Sequence, residues 1–187
     1  MSNILITGGA GYIGSHVCKM LAEEDYTPVT YDNLSNGNKD AIRWGPFEEG
    51  DILDQDKLRY VLNRYKPKAV MHFAAFAYVG ESTINPKKYY RNNVVGTLNV
   101  AECMLQESIN NLIFSGSCAT FGAPESMPIN ETYAQNPISP YGKSKVAAEN
   151  IINDFSSAHG LHSIILRYFN AAGADKDLEI GELHSPE

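Results

Sequence analysis

A phenol and an amine stand four positions apart in the sequence, at Tyr141 and Lys145. If this stretch is helical, the two side chains share one face and lie one turn apart. An unperturbed tyrosine has a pKa near ~10 and is a poor base at neutral pH, but a nearby ammonium group favours the phenolate and lowers that pKa. The pair can then act as a general base. Because a surface tyrosine and a solvated lysine give the same spacing, the sequence upstream has to decide between the two interpretations.

A glycine-rich turn near the N-terminus supplies that context. A short apolar run at residues 3–7 is followed by Gly8, Gly11 and Gly14, and then by a stretch with helical spacing. A second apolar run ends at Asp32, 18 positions beyond Gly14. A strand, a glycine turn that opens a helix, a second strand and an acidic residue at its tip form the fingerprint of a dinucleotide-binding site.

The chemistry of this fingerprint indicates which dinucleotide it favours. Glycines lack a Cβ, so backbone N–H groups can approach a pyrophosphate, and the N-terminus of the helix favours its negative charge. The Asp32 carboxylate can accept hydrogen bonds from ribose hydroxyls and would repel a 2′-phosphate, and no Arg or Lys follows it before Lys39. The sequence therefore predicts NAD rather than NADP. A glycine turn beside a solvated aspartate is the alternative.

The rest of the chain repeats the strand-and-helix unit. Four more apolar runs predict strands, at residues 47–50, 68–73, 111–115 and 161–167. Helices are predicted after Asp54, from Asn85 without interruption to about Glu107, and from Tyr141 to Gly160. We therefore predict an α/β fold, a doubly wound and Rossmann-like parallel sheet with its site at the C-terminal ends of the strands.

Three residues at strand tips have more than one interpretation. Asp51 follows the predicted third strand, where its carboxylate could bond an adenine or could serve as a turn aspartate. His72 lies in the predicted fourth strand, and we expect it to be packed rather than catalytic. Cys118 has no His or other base identifiable nearby in the sequence, so we do not expect it to be a nucleophile.

Composition excludes several classes of function. With 187 residues, the chain has room for one domain and the start of a second. Its net charge of −7 and pI of about 5.2 disfavour non-specific binding to nucleic acid. No apolar run approaches the ~20 residues of a membrane span. Three widely spaced cysteines fit a reducing compartment, so a cytoplasmic location is expected, and no Cys/His spacing predicts a metal site.

Several of these stretches together are similar to one family. The sequence resembles the extended short-chain dehydrogenase/reductase family over nearly its whole length, on six stretches in order: residues 7–16, 31–35, 72–75, 115–117, 141–145 and 166–170. Three shorter stretches resemble its sugar-nucleotide 4-epimerase branch: residues 79–82, 92–94 and 167–170.

The resemblance implies a role for each matching residue. Tyr141 resembles the catalytic base, Lys145 the residue that lowers its pKa and binds the nicotinamide ribose, and Ser117 the hydroxyl that bonds the substrate's 4-oxygen. Tyr141, Ser117 and Asn170 resemble contacts to the sugar nucleotide. The implied NAD-binding set, besides Tyr141 and Lys145, is Gly8, Gly11, Tyr12, Ile13, Gly14, Asp32, Asn33, Asp51, Ile52, Phe73, Ala74, Asn92 and Tyr168.

The activity implied is interconversion of UDP-galactose and UDP-glucose through a transient 4-keto sugar and enzyme-bound NADH. Epimerisation of another UDP-sugar, UDP-glucuronate or a UDP-pentose, stays open, as does an inactive NAD-binding fragment. A 4,6-dehydratase is disfavoured, because Cys118 and Ala119 follow Ser117 where that family has Asp-Glu. Ala77 departs from epimerases that have a cofactor-contacting Lys at this position.

The resemblance also implies how the chain is organised. Residues 1–170 correspond to the NAD-binding domain that carries the Tyr-Lys pair, and residues 171–187 to the start of a shortened substrate-binding region. A homodimer is implied, in which the helix from Asn85 and the helix from Tyr141 pack against a partner subunit. The expected partners are thus a UDP-sugar and a second copy of the chain.

Overall fold

One parallel sheet of six strands organises the molecule, and its strand order is β3-β2-β1-β4-β5-β6. The computed structural model describes residues 1–124 and 126–183. The strands are β1 (Ser2–Thr7), β2 (Tyr26–Asp32), β3 (Phe47–Glu49), β4 (Ala69–His72), β5 (Asn111–Ser115) and β6 (His162–Leu166). The helices are α1 (Tyr12–Glu23), α2 (Gln55–Tyr65), α3 (Val79–Ile84), α4 (Pro86–Tyr89), α5 (Gly96–Gln106) and α6 (Pro140–His159).

The central strands are apolar because both faces of the sheet are covered. Leu5 of β1 pairs with Val29 of β2 on one side and with Val70 of β4 on the other, and all three are fully buried. A parallel sheet needs such covering on both faces, which explains near-continuous apolar runs rather than alternation. The chain crosses from β3 at one edge to β4 beside β1, so the strand order reverses there. The predicted doubly wound α/β fold is confirmed.

Local capping signals fix the ends of the helices. The Asp54 side chain accepts a hydrogen bond from the backbone N–H of Lys57 at the start of α2. Ser139 does the same for Gly142 at the start of α6, where Pro140 holds the first helical position. Gly160 ends α6 in the left-handed conformation, as the sequence predicted. No helix within residues 1–124 and 126–183 is long and apolar enough to cross a membrane.

The helix predicted without interruption from Asn85 differs from that prediction in its middle. The backbone stays helical from α4 into α5, but Tyr90–Val95 between them form a π-helical turn. Such a turn adds a residue to the helix and changes the direction of the side chains around it, often at functional sites. The short helix α3 before it was not predicted.

Candidate active site

A cavity of about 950 Å³ opens at the C-terminal ends of the strands, the edge that the sequence predicted. All but one of the predicted site residues line it. They are Gly8, Gly11, Tyr12, Ile13, Gly14, Asp32, Asn33, Ile52, Phe73, Ala74, Asn92, Ser117, Tyr141, Lys145, Tyr168 and Asn170. The predicted residue absent from the lining is Asp51.

The glycine turn between β1 and α1 is packed so tightly that side chains do not fit. Gly8 has a φ of +73°, and a Cβ added there would lie 2.6 Å from the backbone nitrogen of Ala74. A Cβ on Gly14 would lie 2.2 Å from the carbonyl oxygen of Gly8. Gly11 precedes α1 without a capping side chain, so the first N–H groups of the helix face the cavity mouth unblocked by a cap. This arrangement is a ready site for an anionic diphosphate.

Asp32 is held at the tip of β2 by two backbone N–H groups. One carboxylate oxygen accepts from Ala10 at 3.0 Å, and the other accepts from Leu34 at 2.8 Å. Burial raises the pKa of Asp32, and these two hydrogen bonds oppose the rise. A carboxylate has about four lone-pair sites, so each oxygen keeps capacity for one more donor. Asp32 can therefore accept from two vicinal ribose hydroxyls.

Asp51 has the turn contacts that were one of its two predicted roles. Its carboxylate accepts from the backbone N–H of Leu53 at 2.8 Å and from the side-chain amide of Asn33 at 2.9 Å. The cavity wall at this point is formed by Ile52 and Asn33. Each oxygen of Asp51 thus accepts one hydrogen bond and keeps capacity for a second donor, so the adenine contact implied for Asp51 stays a prediction.

The helix α6 approaches the tip of β5 closely enough to bring its tyrosine to the serine there. A Cβ on Gly142 would lie 2.5 Å from the carbonyl oxygen of Ala119, so only a glycine permits this separation. Tyr141 is 9% exposed, and Ser117 is 7% exposed. The Ser117 hydroxyl lies near enough to the Tyr141 phenol that its hydrogen-bonding effect lowers the pKa of Tyr141. The two groups therefore act at one point of the cavity.

The ionisation of the Tyr-Lys pair differs from the prediction made from spacing alone. Burial raises the pKa of Tyr141, and the hydrogen bond from Ser117 only partly opposes it. Burial also lowers the pKa of Lys145 to about 8, against a smaller opposing effect of Glu149. The Lys145 ammonium lies 6.0 Å from the Tyr141 ring centroid and donates instead to the carbonyl oxygen of Ser115 at 2.8 Å. The protein's own groups thus keep the phenol protonated.

Two further hydroxyls complete this end of the cavity. The Tyr168 hydroxyl is hydrogen-bonded to the Ser115 hydroxyl, and the Tyr168 carbonyl oxygen accepts from the backbone N–H of Cys118 at 3.0 Å. The segment after β6 is thereby fixed to the tip of β5. Asn170 follows on the same segment and lines the cavity.

Asn93 is a buried site residue that the sequence analysis missed. Its side-chain oxygen accepts from the backbone N–H of Phe76, and its amide donates to the carbonyl oxygen of Phe76 and to the Ser144 hydroxyl. Asn93 thus links the cavity-lining loop after β4 to α6. The stretch 92–94 resembles the epimerase branch, but an asparagine within a helical pattern does not indicate that its side chain is buried and bonded to a loop. The π-helical turn that contains Asn93 has no sequence signal either.

His72 has the packing role that was predicted. Its two ring nitrogens are hydrogen-bonded to the hydroxyls of Thr7 at 2.6 Å and Thr97 at 3.1 Å. Burial, helped by the charge of Lys145, lowers the pKa of His72 to about 3. A neutral imidazole fixed between two threonines is a structural bridge between β1, β4 and α5.

The parallel sheet, the glycine turn, Asp32 and the Tyr-Lys pair together define a Rossmann-type dinucleotide-binding domain of the short-chain dehydrogenase/reductase class. Residues 4–182 match the NAD dependent epimerase/dehydratase family. The chain belongs to that family.

Similar proteins include two kinds of sugar-nucleotide epimerase. The chain is 52% identical to the UDP-glucose 4-epimerase of Rhizobium meliloti, over 100% of this chain and 57% of that protein. It is 44% identical to a probable UDP-arabinose 4-epimerase of Arabidopsis thaliana, over 100% of this chain and 48% of that protein. The crystal structure of the Brucella ovis UDP-glucose 4-epimerase in complex with NAD superposes with a TM-score of 0.98 at 55% identity, covering 100% of this chain and 57% of that one. The chain thus spans about half the length of these relatives, between 48% and 57%.

Proposed function

We propose that this chain is the NAD-binding and catalytic portion of a UDP-sugar 4-epimerase that interconverts UDP-galactose and UDP-glucose. One observation carries the proposal: the Tyr141 phenol and the Ser117 hydroxyl meet in the same cavity as the glycine turn and Asp32. A site that must hold a dinucleotide and a sugar side by side needs this arrangement. The UDP-glucose 4-epimerases among the relatives support the choice of substrate.

NAD fits the groups that the cavity offers. The glycine turn leaves room for a diphosphate where a Cβ on Gly14 would clash with Gly8. Asp32 keeps acceptor capacity for the ribose hydroxyls, and it disfavours the additional phosphate of NADP. Lys145 would bind the nicotinamide ribose, and Tyr12, Ile13, Phe73, Ala74, Asn92 and Tyr168 would line the remaining length. When bound, the oxidised nicotinamide accepts a hydride from the sugar and returns it.

The chain's own residues supply the proton chemistry at C4 of the sugar. Tyr141, as phenolate, removes the proton of the 4-hydroxyl, and Ser117 donates a hydrogen bond to the oxygen on which negative charge develops. Burial opposes phenolate formation, so a positive charge has to act beside the phenol. The Lys145 ammonium and an oxidised nicotinamide both act in that direction. Asn170 would hold the sugar nucleotide from the segment after β6.

The organisation and the partners belong to the same proposal. We assign residues 1–170 to the NAD-binding domain and residues 171–187 to the start of a substrate-binding region, of which residues 184–187 lie outside the described part of the chain. A homodimer and a cytoplasmic location are proposed with it. The free thiols of Cys18, Cys103 and Cys118 are consistent with a reducing compartment.

A second candidate is epimerisation of a UDP-pentose at the same site. Probable UDP-arabinose 4-epimerases match the whole chain at 44% identity. The Tyr141 and Ser117 chemistry is the same for either sugar, because both reactions invert C4. The two candidates therefore differ only in which sugar is accepted.

The test is to incubate the protein with UDP-galactose, or with UDP-arabinose, with and without NAD, and to separate the products. UDP-glucose formed from UDP-galactose, without release of NADH, is the expected result. A Tyr141→Phe variant should still bind NAD but lose turnover by roughly 10²–10⁴-fold, the usual contribution of a general base. NAD binding without conversion of either sugar would identify a binding fragment instead. Unchanged turnover in Tyr141→Phe would exclude Tyr141 as the base.

A further inference from the structure

Lys19 is a buried cation outside the chemistry described above. It lies on α1, the helix that follows the glycine turn, and its side chain is 8% exposed. Its ammonium donates to Asp175 at 2.8 Å, to Asp177 at 2.7 Å and to Glu179 at 2.8 Å. Burial alone would lower the pKa of Lys19, but the hydrogen bonds to these carboxylates raise it above its usual value. Lys19 therefore stays charged throughout the physiological range.

The three carboxylates belong to one segment that folds back on α1. We call residues 173–183 the strap. Asp175 organises its turn, since its side chain also accepts from the backbone N–H groups of residues 177 and 179. The backbone N–H of Asp175 donates to the carbonyl oxygen of Ile180 at 3.1 Å, and Ile180 is buried. The strap is thus a compact turn whose three carboxylates converge on one ammonium group of α1, and the Arg43 guanidinium approaches one of them, Glu179, at 3.7 Å.

The strap reaches the cavity at both of its ends. At its start, the Tyr12 hydroxyl donates to the carbonyl oxygen of Gly173 at 2.5 Å, and Tyr12 itself lines the cavity. At its end, Glu182 and Leu183 form part of the cavity wall. The Lys19 contacts lie between these two points and outside the cavity. The Lys19 contacts can therefore affect the part of the cavity wall that the strap forms, but they do not touch the reacting atoms.

We propose that Lys19 is a positioning residue that holds the strap against α1 and so slows the release of NAD from the cavity. The inference rests on the proposed function, since it assumes that the cavity binds NAD. Asp175, Asp177 and Glu179 bring carboxylate oxygens within 4.8 Å of one another, an arrangement that is repulsive unless a cation lies between them. The Lys19 ammonium is that cation. Removing it leaves three like charges that drive the strap away from the helix.

The experiment measures the dissociation rate of NADH by its fluorescence, well below the unfolding temperature, in the unchanged protein and in four variants. Lys19→Met removes the charge and keeps the length of the side chain, and Lys19→Arg keeps the charge. Lys176→Met is the matched control, because Lys176 belongs to the strap, is 75% exposed and only approaches Glu23 at 3.8 Å. Asp175→Asn weakens the same contact from the strap side and leaves α1 unchanged.

We expect Lys19→Met and Asp175→Asn to release NADH on the order of tenfold faster than the unchanged protein, because weaker attraction between α1 and the strap raises the population in which the strap has left the cavity wall. Lys19→Arg should restore slow release, and Lys176→Met should not alter it. Equal rates in the unchanged protein and all four variants would overturn the role of the strap while leaving NAD binding intact. If Lys19→Met fails to fold, Asp175→Asn decides the question. Absence of NADH binding in the unchanged protein would instead contradict the proposed function.

Discussion

The glycine turn gives the sharpest prediction, because the distances from an added Cβ atom to the surrounding backbone atoms are known there. In Gly14→Ala the new Cβ would lie 2.2 Å from the Gly8 carbonyl oxygen and 2.8 Å from Gly9 Cα. Contacts of a Cβ are essentially never shorter than 3.0 Å, so the turn has to move by about 0.8 Å. Both obstructing atoms are backbone, and no side chain can rotate away. Overpacking of this kind costs roughly 1–3 kcal/mol.

A glycine-to-alanine change also has a favourable component, which must be weighed against the clash. Alanine within a helix is more stable than glycine by roughly 0.5–1 kcal/mol. At Gly80, in α3, an added Cβ would have no atom within 4 Å, so an alanine there has the favourable helix contribution without a clash. Gly80→Ala is therefore the matched control, and it should be neutral or slightly stabilising. The net cost of Gly14→Ala should be up to roughly 2.5 kcal/mol after the helix gain is subtracted.

Two measurements separate stability from binding. Thermal unfolding of Gly14→Ala should occur at a temperature lower by up to roughly 10 °C, at 2–4 °C for each kcal/mol in a protein of this size. Calorimetric titration should show NAD affinity reduced by at least about tenfold, since the displaced backbone N–H groups no longer meet the diphosphate. Gly80→Ala should bind NAD as the unchanged protein does. If Gly14→Ala bound NAD with unaltered affinity, the glycine turn would not be the diphosphate site, and the assignment of the cavity would be wrong.

Two further predictions concern buried charges. Folding lowers the pKa of Lys145 from 10.5 to about 8, so between pH 8 and pH 10.5 the unfolded chain binds more protons than the folded protein. The free energy of unfolding should therefore rise with pH over this interval, by up to roughly 3 kcal/mol. Urea unfolding at pH 7 and pH 10, with Lys145→Met as reference, checks this, and an equal pH dependence in both proteins would contradict it. Arg167→Met should cost roughly 3–5 kcal/mol, because it removes the guanidinium at 2.8 Å from the buried carboxylate of Glu149. Urea unfolding should give less than about 1 kcal/mol for the control Arg59→Met, because the Arg59 side chain is 48% exposed and its contact with Glu107 is longer, at 3.5 Å. Similar losses in both variants would refute the distinction.

Much of the fold was predictable because its signals are local. These signals are the apolar runs, the glycine turn and capping residues such as Asp54 and Gly160. Each determines the conformation of the residues next to it in the sequence. The order of strands and helices then restricts the topology to a doubly wound sheet. The candidate site followed with it, because the C-terminal ends of parallel strands meet at one edge.

What the sequence did not predict depends on contacts between distant positions. The inward direction of Asn93 requires the π-helical turn, which has the same apolar spacing as a regular helix. Lys19 and the strap carboxylates are 156 to 160 positions apart, and no periodicity connects them. The engagement of Asp51 by Asn33 is likewise decided by how the turn after β3 packs against the end of β2. Each of these is set by tertiary geometry rather than by residue type.

The Tyr-Lys pair shows most clearly why spacing is not chemistry. Spacing correctly places Tyr141 and Lys145 on one helix, but burial shifts the two groups in opposite pKa directions, and both shifts favour the uncharged form. Removal of a proton from the sugar requires the Tyr141 phenolate beside the Lys145 ammonium. In the protein alone, this charged pair is therefore less stable than the uncharged phenol and amine. The effect of Ser117 lowers the pKa of Tyr141 and so offsets part of the cost of forming the phenolate. The remainder has to come from a positive charge brought into the cavity, so in the proposed enzyme binding of the oxidised cofactor is what activates the base.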